Sequence, residues 1–193
     1  MARFDTLREL ARMSRYGDQA LALLEQDAEL LAVRRAEISG WTPLEQLAHV
    51  ALANELVLKN VRSLAQREGL LVCEGLEAQP QAIAVLAGGR IPRGRAQSPR
   101  MVRPPAEPVL ADVTQWHRDN QAMIAALRAS AWDMEPSRHS VPHQLLGPLD
   151  LAQWARFGSV HTRHHLEIAI EVLRAAGVDE MRIPSLEAIE AAT

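Results

Sequence analysis

Apolar residues recur along this chain at three- and four-residue intervals, with almost no strict alternation, and the gaps between these runs divide it into four helical segments. The first is expected from about Asp5 to Arg35, broken near Gly17, with Leu21, Leu23, Leu24, Leu30, Leu31 and Val33 on its apolar side. Gly40 marks the turn that follows. Thr42 then stands at an N-cap, Pro43 suits the first helical position because its missing N–H is not needed there, and Glu45 completes a Thr-x-x-Glu capping box. Leu44, Leu47, Ala48, Ala51, Leu52, Leu56 and Val57 carry this second helix to about Ala65.

From about Gln66 to Pro108 glycine and proline recur too often for a long helix, so the pattern predicts an irregular excursion with one short helix near Gln81–Leu86. A third helix is expected from about Leu110 to Ser130, followed by a loop through Pro136 and Pro142. Asp150-x-x-Gln153 forms a variant capping box for the fourth, which runs to about Ala176 before Gly177 stops it. Beyond Pro184 a short helix over Ser185–Ala191 is expected. Without strand signals or internal repeats, the chain reads as a single all-α domain over residues 1–193. Its simplest layout is a four-helix bundle with a long irregular loop between helices 2 and 3.

Composition supports that reading and narrows the function. Of 193 residues 48% are hydrophobic and only 4% aromatic, enough for a core built mainly from helix-forming Ala and Leu. A net charge of −3 with interspersed signs argues against a general nucleic-acid partner. One basic cluster stands out: Arg90, Arg93, Arg95, Arg100 and Arg103 share a Gly/Pro-rich stretch that reads either as a solvated loop or as a site for a phosphate or acidic ligand. The lone Cys73 cannot form an internal disulfide, and no neighbouring His or basic residue activates it as a nucleophile. No apolar stretch approaches the roughly 20 residues of a membrane span, and Met1-Ala2-Arg3-Phe4-Asp5 has no apolar signal segment, so no membrane partner and a cytoplasmic location are expected.

The candidate chemistry lies in the histidines. Three of seven crowd into His161-Thr-Arg-His164-His165 in the fourth helix. At about 100° per residue, Trp154, Gly158, His161, His165, Ile168 and Val172 share one stripe, whereas His164 points roughly 80° away. Two imidazoles at i and i+4 on one face can share a cation, and burying both without a ligand would leave polar nitrogens in a core of Leu, Ile and Ala. His49 shares a face of the second helix with Leu52, Ala53 and Leu56 and is the natural third ligand, although a lone inward histidine is more often a satisfied core residue. Three nitrogens would leave coordination positions open, as in a catalytic rather than a closed structural site. His117 and the loop residue His139 read as surface or structural, and Glu45 as a cap rather than a base.

Two segments resemble the DinB-like superfamily, which includes YfiT-type metal-dependent hydrolases and several thiol-dependent transferases. Gly40-Trp-Thr-Pro-Leu-Glu-Gln-Leu-Ala-His49 is similar to the family's Gly-Trp-Ser-x-x-x-x-Leu-x-His at the start of its second helix. Leu146 to His165 is similar to its fourth helix with His-x-x-x-His. The resemblance implies a bundle with an unusual connection order, a homodimer, and one divalent metal, nickel or zinc, on His49, His161 and His165. Where the family often reads His-Pro, this chain has Pro142-His143-Gln144, and His143 is carried as a candidate at the mouth of the site.

An open three-histidine site suggests a metalloenzyme, and the resemblance implies transfer of a low-molecular-weight thiol such as bacillithiol or mycothiol to an electrophile, with hydrolysis second. Arg90, Arg93, Arg95 or Arg100 would hold a carboxylate of the thiol or substrate. The alternative is a non-catalytic, stress-related module that binds a metal or small ligand.

Overall fold

Asp5 starts the first helix, its carboxylate accepting the Arg8 N–H at 2.8 Å, and helix α1 (Thr6–Leu23) then passes through Gly17 unbroken. Gly17 is buried against α5, and a Cβ there would lie 2.9 Å from the Gln121 side chain, so this glycine serves a close helix contact rather than a break. The expected break instead falls at residues 24–27, where Glu25 and Gln26 donate to carbonyls three residues back and tighten the last turn. A single turn, α2 (Ala28–Leu31), ends the segment short of Arg35. This computed structural model describes residues 3–94, 97–179, 182–183, 185–187 and 189.

Helix α3 (Pro43–Gln66) begins as its residues dictate: Thr42 Oγ1 accepts the Glu45 N–H and the Glu45 carboxylate accepts the Thr42 N–H, closing the capping box. The excursion after it holds strand β1 (Cys73–Glu74), the short helix α4 (Pro80–Gly88) and a 3-10 turn at Arg100–Val102. Next come α5 (Leu110–Ala129), strands β2 (His139–His143) and β3 (Gly147–Leu149), and α6 (Leu151–Ala175), which Asp150 and Gln153 cap reciprocally. The expected tail helix, Ser185–Ala191, lies partly outside the described residues.

The chain is therefore mostly helical rather than all-α. Its three strands form an antiparallel sheet in the order β1-β2-β3, with Cys73 opposite Ser140 and Val141 opposite Leu149. Strands of two to five residues are too short to display alternation, and the facing Pro142 and Pro148 argue locally against a ladder. His139 accordingly lies in β2 and not in a loop. The Trp154 indole N–H donates to Val141 C=O at 3.0 Å and ties this sheet to α6.

Four long helices pack in a ring: α3 against α6 and α5, and α1 against α6 and α5, which leaves α1 across from α3 and α5 across from α6. One apolar cluster, with Leu10, Met13, Leu58, Leu127 and Trp154, fills the end nearer the sheet; another, with Tyr16, Leu23, Leu47, Leu166 and Leu173, fills the other end. Gly158 brings α6 close to two neighbours, for a Cβ there would lie 2.6 Å from Met13 Sδ and 2.9 Å from Val57 Cγ1. His117, buried on α5, donates to Leu47 C=O at 3.0 Å and is structural. Burial pushes its pKa down to about 4. Among the described residues no helix is long and apolar enough to cross a membrane.

Candidate metal centre

The packing of α3 against α6 brings His49 to the pair His161 and His165, which stand one turn apart on α6. One ring nitrogen from each lies within 4.8 Å of the others. The ring centroids are 4.4 Å apart for His49 and His165, 4.5 Å for His161 and His165, and 5.0 Å for His49 and His161. His49 is buried, whereas His161 and His165 are half-buried, so the group opens on one side.

The outward-facing nitrogens decide the orientation of the rings. His49 Nδ1–H donates to the Val102 carbonyl at 2.7 Å, and His165 Nδ1–H donates to Gln46 Oε1 at 2.6 Å. Those oxygens only accept, so each Nδ1 carries the proton and each Nε2 presents a lone pair. Gln46 is itself held, its amide N–H donating to Ser39 Oγ at 2.8 Å, and the same hydroxyl oxygen accepts the Trp41 N–H. The Val102 carbonyl comes from the 3-10 turn, so the long excursion closes over His49. Trp41 packs 5.0 Å from His49, and Phe157 lies 5.2 Å from His161.

This arrangement fits a divalent cation. His49 Nε2 and His161 Nε2 are 3.2 Å apart, close to the roughly 3.3 Å between nitrogens that share a tetrahedral zinc at 2.0–2.1 Å. His161 Nδ1 is buried without a hydrogen-bond partner, and among the described residues the ring's hydrogen-bond contact is Nε2 with His49 Nε2, inside the group itself. Burial lowers the pKa of all three rings, most for His161 and His165, where neighbouring imidazoles add to it; for His49 the Val102 carbonyl works in the opposite direction. The rings are thus neutral near pH 7, the form that binds a metal.

The other expected residues are dispersed. His164 packs its ring 4.9 Å from His165 but stands outside the three-nitrogen group. Arg93 lines two cavities beside it, one of about 230 Å³ with Arg90 and Arg163, the other of about 510 Å³ with Trp41, Gln46 and His165; Arg90 reaches only the smaller. Arg95 lies outside the described residues, and Arg100 opens the 3-10 turn. His143 Nδ1 accepts the N–H groups of Leu145 and Leu146 and closes the β2–β3 turn. Its ring packs 4.4 Å from Phe157, which also packs on His161; burial brings its pKa down to about 4, and it lines neither cavity.

Sequence reasoning missed Gln46, Val102 and the role of Trp41. Gln46 had a signal, since it precedes His49 by three residues and so shares its helical face. Val102 had none, because it reaches His49 across 53 positions through a backbone atom that any residue would supply.

Residues 9–169, including all three histidines, match the DinB superfamily, and the chain belongs to it. No curated protein and no solved structure matches the chain.

Proposed function

We propose that this member of the DinB superfamily holds one divalent cation, zinc or nickel, on His49, His161 and His165, in a four-helix bundle of the DinB type, and transfers a small thiol to an electrophile. The observation that carries this reading is the inward convergence of three neutral ring nitrogens beside a 510 Å³ cavity. Bound there, the cation would supply Lewis-acid chemistry, lowering the pKa of a thiol or water beside it.

The protein's own residues prepare that chemistry. Val102 C=O and Gln46 Oε1 keep the protons of His49 and His165 on Nδ1, so both Nε2 atoms stay available. Trp41 packs against His49 and Phe157 against His161, which helps hold the two rings in place. No carboxylate lines the larger cavity, and the nearby Glu45 is committed to its cap and to Arg34 at 3.0 Å. With no carboxylate base in the cavity, a nucleophile that loses its proton readily is favoured; a thiol with an ordinary pKa of about 8.5 needs far less help than water at about 15.7. In the transfer a sulfur–carbon bond forms, the leaving group departs with its bonding electrons, and the thiol proton passes to solvent. Hydrolysis at the same site is the second reaction class.

Elemental analysis of the purified protein after reloading with zinc or nickel tests the first step. About one equivalent is expected in the parent and none in His49→Ala or His161→Ala, each checked for helix content by circular dichroism. No metal in the reloaded parent overturns the reading. Metal-dependent consumption of a small thiol in the presence of an electrophile tests the second step; bound metal without turnover would identify a binding module instead.

A further inference from the structure

The arginine-rich excursion reads from sequence as either a solvated loop or a ligand site, and its placement separates the two. Arg93 and Arg103 line the 510 Å³ cavity that opens over His165, and His164 joins them. None of the residues lining this cavity is Asp or Glu, and two of them are Arg. Its volume falls in the range of small-molecule pockets. Trp41, Ile38 and Ile168 supply an apolar wall, while Ser39 and Gln46 are occupied in holding His165.

Both guanidinium groups can turn to a ligand. Arg103 is steadied by one bond, from its Nε–H to Ser98 C=O at 3.0 Å, and its terminal nitrogens have no partner among the described residues. Arg93 meets Glu171 at 2.7 Å, but both side chains are 47% exposed, and so exposed a pair contributes little and gives way readily. A planar guanidinium matches the paired oxygens of a carboxylate or phosphate. Arg103 also directly follows Val102, whose carbonyl orients His49, so a ligand on Arg103 sits on the same turn that closes the three-histidine group.

We infer that this cavity binds a small molecule bearing a carboxylate or phosphate, held by Arg93 and Arg103 with its apolar part against Trp41. The inference rests on the proposed metal function only in taking this molecule as the one that reacts.

Calorimetric titration of the full-length protein, with and without zinc, tests it, using phenylacetate, phenyl phosphate and the neutral phenylacetamide as probes. Both metal states should bind an anion, with the amide about tenfold weaker or worse, and the tighter of the two anions identifies the group the cavity takes. Arg103→Gln should lose about tenfold to a hundredfold of that affinity, the equivalent of one or two charge-assisted hydrogen bonds, and Arg103→Lys should recover part of it. Zinc content should stay unchanged in both variants. Equal affinity for acid and amide, no anion binding at tens of millimolar, or full affinity in an Arg93→Gln, Arg103→Gln double variant overturns the inference even where one zinc is retained. Anion binding that persists while the protein takes up no zinc overturns the metal reading alone.

Discussion

Around Ser159, α6 meets α1 through a carboxylate; at His161 and His165, it meets α3 through imidazoles. Both clusters bury polar atoms in the same helical assembly, but their valences point in opposite directions. Glu9, 5% exposed, accepts from Arg12 at 2.8 and 3.0 Å, from Arg156 at 3.4 Å and from the Ser159 hydroxyl. Its charge is met on every side. In the histidine group the Nδ1 protons of His49 and His165 face outward to Val102 and Gln46, and His49 Nε2 turns inward to His161 Nε2 at 3.2 Å. Burial of polar atoms therefore does not mark a site here. What distinguishes the histidine group is that His49 and His165 spend their Nδ1 protons on outer oxygens and keep their Nε2 lone pairs for the inside.

The largest expected effect comes from opening the closed cluster. Glu9→Ala leaves two mostly buried guanidinium groups without their carboxylate and should cost about 3–5 kcal/mol in urea denaturation. Its zinc stoichiometry should remain that of the parent, and zinc loss in a folded Glu9→Ala protein would erase the distinction between the clusters.

His117 sharpens the comparison as a third buried polar group, held by its bond to the Leu47 carbonyl. Folded, it stays neutral down to about pH 4, whereas the unfolded chain takes up its proton near pH 6.5. Between those values the unfolded state binds more protons, so stability is fully present above about pH 6.5 and falls as pH drops towards 4. The full window is worth about 3 kcal/mol. Denaturation of metal-free protein across it should show a steeper decline in the parent than in His117→Gln; parallel curves would place the pH sensitivity elsewhere.

A smaller effect is expected at Gly158, which precedes Ser159 by one residue and His161 by three. Gly158→Ala drives a methyl group into Met13 and the stiffer Val57 and should cost about 1–3 kcal/mol in thermal or urea unfolding. Zinc affinity should fall with it, because α6 must move away from α3. An alanine variant of parental stability would show that the helices have room to spare.

Gln46→Ala should barely change stability in the metal-free protein, by about 1 kcal/mol, yet weaken zinc binding about tenfold to a hundredfold in a competition titration with a chelator. Unchanged affinity would mean that the Gln46 oxygen does not set the orientation of His165.

Short-range chemistry already specified a good deal of this protein. Thr42 with Glu45 and Asp150 with Gln153 start the two site-bearing helices through atoms three residues apart, so their capping boxes are legible in the letters alone. The same holds for the shared face of His161 and His165, since helical spacing follows from local geometry. The breakers between Gln66 and Pro108 likewise forbid a long helix, and among the described residues there the nine-residue α4 is the one α-helix. Periodicity misreads Gly17, however, because a glycine that admits a neighbouring helix and one that ends its own look alike in sequence.

Packing decided the rest. His49 reaches His161 across 112 positions, and its inward periodicity indicates a core without naming what shares it. The β1-β2-β3 sheet, the Val102 carbonyl over His49, and the gathering of Arg93 and Arg103 around one acid-free cavity depend on contacts between distant segments. Local spacing records the direction in which a side chain leaves its own helix; what it meets there is set by how α1, α3, α5 and α6 bury their apolar stripes together.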